Sequence, residues 1–422
     1  MNDLDKLKAY LIQKVQERLT RTPLVEGTFE QQQAIMRQWL QELYAQTRLT
    51  LSPEVAAGLF DDVLDSLVGY GPLQVLLSDP EVSEIMVYGA KQVYVEKHGQ
   101  LVDVPFTFEN NQEVYRIIDR IIRPLGLRVD RQHPTVDARL PDGSRVNIVV
   151  PPVAVDGPTI TIRKFLPSKL TVEDLLALGS LTPHMAEFLQ ACVVARINLI
   201  ITGNTSSGKT TLLNVLSDYI PHSERIITIE DAAELRLKQK YVVRLETRPG
   251  TPENGQAVLA RDLVRNALRM RPDRIIVGEV RSGEAIDMLQ AMNTGHMGSL
   301  TTLHANSPRD AIARLETMAM MAGLDMPLIA IRRQIASAID LIVHMARLED
   351  GTRKITHITE VAGMEGDIVT LSDIFRFQRT GVDSNGRVLG DLAATRLRPL
   401  FAPKLEAAGV KLGSEIFGAG VL

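Results

Sequence analysis

An apolar run, Ile197-Asn198-Leu199-Ile200-Ile201, leads into Gly203-Asn204-Thr205-Ser206-Ser207-Gly208-Lys209-Thr210. This is G-x-x-x-x-G-K-[ST] directly after a buried strand, the phosphate-binding loop in its proper setting. It constrains the fold more than any other feature. Strand, Gly-rich turn and helix must follow one another, with loop N–H groups and the helix N-terminus facing an anion. Lys209 is placed to reach β- and γ-phosphates and the Thr210 hydroxyl to ligate Mg²⁺, with Thr211 completing the motif. Leu212, Leu213, Val215 and Leu216 give the following helix its apolar face. The competing reading is a Gly-rich strand–helix turn that binds nothing. Both flanks favour a chain that binds a nucleoside triphosphate.

The surroundings fit an α/β sheet. Strand-like segments at 199–202, 225–229, 242–245, 275–277, 299–303 and 341–343 alternate with helices, the pattern of a mainly parallel sheet covered by helices. A tail, 351–422, carries short strands such as 354–358 and a Leu/Ala helix near 398–408. Upstream, Leu4, Leu7, Leu11, Val15 and Leu19 recur at helical spacing, as do Ile35, Trp39 and Leu43. Pro23 and Gly27 separate these two stripes, which suit either a small bundle or a partner surface. A third helix from Pro53 ends at Gly69-Tyr70-Gly71-Pro72. Between 80 and 163, short strands surround one helix marked by Val114, Ile117, Ile118, Ile121 and Ile122, an α+β domain. The expected division is therefore a helical region 1–75, an α+β domain 76–163, a linker 164–172 and a nucleotide domain with C-terminal extension, 173–422. Residues 1–50 carry no phosphate chemistry, so a chain lacking them is expected to remain a folded enzyme.

Three further segments bear on chemistry. The strand at 226–229 ends in Glu230-Asp231, and the one at 275–277 runs through Gly278 into Glu279. Ligand crevices in open α/β sheets lie at the carboxyl ends of the strands, so these acids should sit near the phosphates and Mg²⁺. A solvated helix cap is the alternative for Glu230 and Asp231. His296 and His304 flank a strand and read as γ-phosphate sensors, with a structural role as the alternative. Metal ligation is disfavoured because no third ligand stands at suitable spacing.

Composition narrows the class. A formal charge of −4 and 5 % aromatics over 422 residues give no basic, aromatic-lined track for a nucleic-acid strand. The single cysteine, Cys192, rules out an intrachain disulfide and a cysteine zinc cluster and reads as buried and inert. No apolar run approaches 18 residues and the N-terminus is a charged helix, so membrane association is expected only through partners.

Taken together, residues 203–211, 229–235, 271–281 and 294–306 resemble the Walker A, Asp box, atypical Walker B and His box of the type II/type IV secretion ATPase superfamily. Within it, Arg261-Asp262-Leu263-Val264-Arg265-Asn266-Ala267-Leu268-Arg269-Met270 and Ala291-Met292-Asn293-Thr294-Gly295-His296 most resemble the ATPases of the Tad (Flp) tight-adherence pilus. The resemblance implies a RecA-like P-loop domain behind an α+β, PAS-like domain, assembled as a homohexamer that is cytoplasmic and peripheral at the inner membrane. It implies ATP and Mg²⁺ as cofactors, Glu279 and Glu230 as catalytic acids, and platform proteins of a pilus or secretion machine as partners. It also implies arginine fingers from the α+β domain, at positions matching Arg139, Arg145 and Arg163; a surface salt bridge is the alternative for each. Two departures stand out: the cysteine quartet of some relatives is absent, and Ser206-Ser207 replaces the usual Gly-Ser. The competing functions are a RecA-like nucleic-acid motor, a scaffold without turnover and a small-molecule P-loop kinase.

Overall fold

The computed structural model describes residues 3–21, 29–47, 49, 51–67, 69–97, 99–104, 107–165, 170–248, 250 and 255–418. The chain divides into two units, Met1–Leu166 and Pro167–Leu422.

In the first unit, helices Asp3–Arg21, Phe29–Gln46 and Pro53–Leu67 share one core. Leu7, Leu11 and Val15 meet Met36, Trp39 and Leu40, and both sets meet Leu59, Phe60, Val63 and Leu64. Most of the two apolar stripes is buried in this bundle, while Leu4 and Ile35 remain exposed. A chain cut after residue 50 would lack two of the three helices around Leu59, Phe60, Val63 and Leu64.

The rest of this unit is a six-stranded antiparallel sheet. Its order is Gln100–Asp103, Gln92–Lys97, Val82–Tyr88, Thr159–Arg163, Arg145–Val149 and Thr135–Arg139. Helix Asn111–Ile122 buries the five apolar residues of its stripe, and the Asn110 side chain caps it by accepting from the Glu113 N–H. The edge strand Gln100–Asp103 is exposed at every position, so it lacks the alternation that marks a half-buried strand.

The second unit holds a nine-stranded sheet. Six strands are parallel, in the order Leu341–Arg347, Leu199–Gly203, Leu300–His304, Arg274–Val280, Arg225–Glu230 and Tyr241–Glu246. The strand Leu199–Gly203 is buried throughout, as a near-continuous apolar run requires in a sheet covered on both faces. The tail differs from expectation. In place of short strands, Arg353–Glu365, Ile368–Val382 and Val388–Ala394 form an antiparallel meander that extends the same sheet. Gly363 and Gly381 resemble breaks in the sequence, but both sit at register shifts inside strands. The meander and chain end are held by Phe188, which contacts the rings of Phe375, Phe401 and Phe417. Cys192 is fully buried, and burial pushes its thiol well up.

Candidate nucleotide site

Parallel strands bring four functional segments to one end of the second sheet. Gly203, Glu230 and His304 are the last residues of their strands, and Glu279 is next to last in its own. The loop from Gly203 to Gly208 is tightly specified. A Cβ on Gly203 would lie 2.3 Å from the Met345 carbonyl oxygen and 2.5 Å from Ser207 Oγ. Only glycine fits there, and its φ of +153° suits that residue. Helix Lys209–Ser217 starts from Gly208 with no side chain capping it, which leaves its first N–H groups for an anion. Ser206 adopts φ of 58°, a left-handed conformation at a non-glycine residue, so the Ser-for-Gly departure carries local strain.

Lys209 is 7 % exposed, and its Nζ donates to the Asn204 carbonyl at 2.9 Å. Burial lowers its pKa, with Glu279 opposing the shift. The same Nζ is 3.4 Å from Nδ1 of His304, whose Nε2 is 2.8 Å from Glu279 Oε1. Burial and then the Lys209 charge lower the His304 pKa, favouring the neutral ring. Glu279 Oε2 accepts from Arg281 Nε at 2.9 Å, and Arg281 Nη1 is 3.0 Å from Asp231 Oδ2. Asp231, Arg281, Glu279, His304 and Lys209 thereby form one continuous polar chain across the strand ends.

Glu230 lies deeper. Its Oε2 accepts from the N–H groups of Glu234 (2.7 Å) and Leu235 (2.9 Å). Its Oε1 is buried and has no partner among the described residues. Burial raises its pKa, and the two N–H groups offset that only in part. Gly278 makes room for it, since a Cβ there would stand 2.9 Å from Glu230 Cγ.

Of the sequence candidates, Lys209, Glu279 and His304 come into contact, and Asp231 joins them through Arg281. His296 does not. Strand Leu300–His304 separates the two histidines, which puts His296 at the amino end of the sheet, away from the loop. Its carbonyl accepts from Ser299 Oγ, and its Nδ1 is buried without a partner among the described residues. Within one chain, His304 alone of the two histidines is brought to the loop. Arg139, Arg145 and Arg163 belong to the first unit and occupy a single cross-strand row: Arg139 pairs with Arg145, and Arg145 with Arg163. The row continues into Glu84, which pairs with Arg163 across the next strand and whose Oε1 lies 3.6 Å from Arg163 Nε, the surface salt bridge that was the alternative for this arginine.

Arg281 escaped the sequence reading although it stands two residues after Glu279. So did Thr302, whose Oγ1 donates to the Gly278 carbonyl at 2.6 Å and ties two site strands together. A third is His344, 5 % exposed, with Nδ1 2.8 Å from Oγ1 of Thr202 on the strand feeding the loop. Burial, then the neighbouring His357, lowers its pKa from the ordinary 6.5 to about 4. The unfolded chain thus binds this proton more readily than the folded one. The stabilisation from keeping His344 neutral is complete above pH 6.5 and drains as pH falls toward 4. Denaturation midpoints between pH 7 and 5 should drop more steeply for wild type than for His344→Gln; equal slopes would refute the assignment.

A protein-family model described as type II/IV secretion system protein matches residues 66–383. A putative conjugal transfer protein of Mycobacterium tuberculosis is 35 % identical over 336 residues, covering 78 % of this chain and 94 % of that protein. The type IV secretion system protein VirB11 of Brucella suis is 32 % identical over 318 residues, covering 69 % and 88 %. Among solved structures, the pilus retraction motor PilT with bound ADP shares the fold at a TM-score of 0.50 and 22 % identity, covering 67 % of this chain and 79 % of that one.

Proposed function

The chain belongs to the type II/IV secretion system protein family, and from that premise we propose that it is the ATP-driven motor of a Tad-type pilus assembly machine. It is an ATPase of the secretion and conjugation class. The finer reading rests on the segments 261–270 and 291–296, whose residues most resemble the tight-adherence branch.

The observation that carries the reading is the convergence of Lys209, Glu279 and His304 at the end of the loop-bearing strand. Lys209 neutralises phosphate charge that the loop N–H groups offset only in part. Glu279, held through Oε2 by Arg281 and with Oε1 2.8 Å from His304 Nε2, orients the attacking water. His304 lies between Lys209 and Glu279, where it reports the presence of a γ-phosphate. The donor set fits Mg²⁺, with the Thr210 hydroxyl as ligand and Glu279, Glu230 and Asp231 acting through water. Glu230 Oε1 is a buried acceptor without a partner among the described residues. No cluster of three or more ligating side chains occurs among those residues, which suits an ion that keeps waters and phosphate oxygens. When bound, the ion neutralises charge on the β- and γ-phosphates.

The arginine row supplies the positive charge that phosphoryl transfer needs at its transition state. It is carried by the first unit, so it acts when that unit, from the same chain or a neighbour, closes over ATP. Such closure in a homohexamer converts hydrolysis into a rigid-body stroke on platform proteins at the cytoplasmic face of the inner membrane. No described helix is long and apolar enough to cross a membrane.

Steady-state hydrolysis tests the reading. Lys209→Ala should lose both tight ATP binding and turnover. Arg145→Ala and Arg163→Ala should each cut kcat at least tenfold, a conservative figure for an arginine finger, while ATP affinity moves about threefold or less. Total activity should climb faster than linearly with protein concentration over the range where the ring assembles. A monomer fully active at high dilution and indifferent to both arginine changes would sink the mechanism. Stimulation by single-stranded DNA would instead favour the nucleic-acid motor. Co-purification of membrane platform proteins with an ATP-locked variant tests the pilus assignment.

A further inference from the structure

We infer that Arg353, at the start of the C-terminal meander, is a positioning residue for the phosphate-binding loop. It lies 147 residues from the loop in sequence, and its Nε donates to the Ser206 carbonyl at 2.8 Å. Ser206 is the strained residue of the loop, with φ of 58°. Serine does not hold this conformation on its own account, because the left-handed region is strained for an L-residue. A charge-assisted hydrogen bond to its carbonyl opposes that strain. Arg353 thus fixes the one peptide of the loop that the sequence leaves least able to fix itself. The aliphatic stem adds to this, since a Cβ on Gly208 would lie 3.5 Å from Arg353 Cδ.

Arg353 is itself firmly anchored. Its backbone pairs with Arg347 of the adjoining strand, and its carbonyl accepts from Ser180 Oγ at 2.8 Å. The next residue, Lys354, donates through Nζ to the Gly179 carbonyl at 2.9 Å, and the Ile355 N–H donates to the Ser180 carbonyl at 2.9 Å. Gly179 and Ser180 follow the first helix of the second unit, Val172–Ala177. The loop's geometry is therefore tied, through one guanidinium, to the segment by which the chain enters this unit. A shift of that segment would move Arg353 relative to Ser206 and alter how well the loop holds phosphate.

The inference rests on the nucleotide reading above, and the test separates the two. Wild-type binding of a fluorescent ATP analogue reports on that reading alone; ratios between variants report on Arg353. Arg353→Met keeps the stem over Gly208 and removes the donor. It should raise the Kd for the analogue about tenfold with an unchanged melting temperature. Ser206→Gly, which removes the left-handed strain, should restore affinity in that background to within about threefold of wild type. Its gain there should exceed its effect in the wild-type background several-fold. A purely structural role for Arg353 would show no such coupling. Should the methionine variant prove unstable, Arg353→Lys carries the same comparison, with a smaller loss and the same rescue by Ser206→Gly. Unchanged affinity on losing Arg353, or an equal Ser206→Gly effect in both backgrounds, overturns the inference.

Discussion

Glu279→Gln should leave ATP bound and cut kcat by at least a hundredfold, within the range of about 10²–10⁴ for a positioned acid–base group. The expectation follows from the two contacts of its carboxylate. Oε2 accepts from the Arg281 guanidinium and Oε1 faces His304 Nε2 at 2.8 Å. An amide keeps the shape but presents one N–H₂ group to a neighbour that is itself a donor. It also removes the negative charge that orients water or a metal-bound water. Lys209 and the loop N–H groups are untouched, so ATP affinity should hold, and ATP trapped on the Glu279→Gln variant should outlast that on wild type. Glu230→Gln provides the comparison. One oxygen of Glu230 already accepts from the Glu234 and Leu235 N–H groups, so this residue shapes the turn as well as facing the site. If Glu230→Gln turns over at the wild-type rate while Glu279→Gln is dead, the Asp box is structural. If Glu279→Gln retains wild-type kcat, Glu279 is not the residue that activates water.

How much of this site the sequence displays depends on whether a contact is local. The loop, its strand and the acids at strand ends are legible because each is a short apolar run followed at once by its functional residue. The strand from Arg274 to Val280 is one such case, with Glu279 emerging where the run stops. Arg281 is equally local but illegible, because a charge after a strand looks like any solvated surface residue. The arginine row is half legible. Pro141-Asp142-Gly143 announces the turn that sets Arg139 opposite Arg145, but the pairing of Arg145 with Arg163 depends on a register across a longer connection. Arg353 and His344 are wholly non-local, brought to the loop by sheet order alone. His296 misleads for the opposite reason. Its spacing from His304 is short in sequence, yet an extended strand of five residues puts its two ends well over 10 Å apart.

The strand Arg274–Val280, which ends near Glu279, carries the largest expected effect on stability at its other end. Arg274 is 0 % exposed. Its Nε and Nη2 grip the two oxygens of Glu224 at 2.5 and 3.2 Å, and its Nη1 donates to the Gly298 carbonyl at 3.2 Å. Glu224 precedes the strand Arg225–Glu230, and Gly298 closes the turn after His296, so one guanidinium fastens three neighbouring segments at the amino edge of the sheet. The fit is close, since a Cβ on Gly298 would stand 2.6 Å from Arg274 Nη1. Arg196 gives Glu224 a further partner at 3.2 Å, but that arginine is 41 % exposed and its pull is screened by solvent. Removing Arg274 leaves a carboxylate that is only 7 % exposed without its main counter-charge. Breaking a buried pair in this way costs about 3–5 kcal/mol, whereas replacing both members with apolar groups is often neutral. Arg274→Met should therefore shift the unfolding transition of the second unit by that amount in urea titrations, and Arg274→Met with Glu224→Leu should recover most of it. The site residues at the far end of the strand are not touched, so turnover by the folded fraction should stay near wild type. If Arg274→Met costs less than about 1 kcal/mol, the pair does not anchor the sheet edge. If the double variant is worse than the single, Glu224 still stabilises the fold without Arg274, through Arg196, and its stranded charge is not the source of the loss.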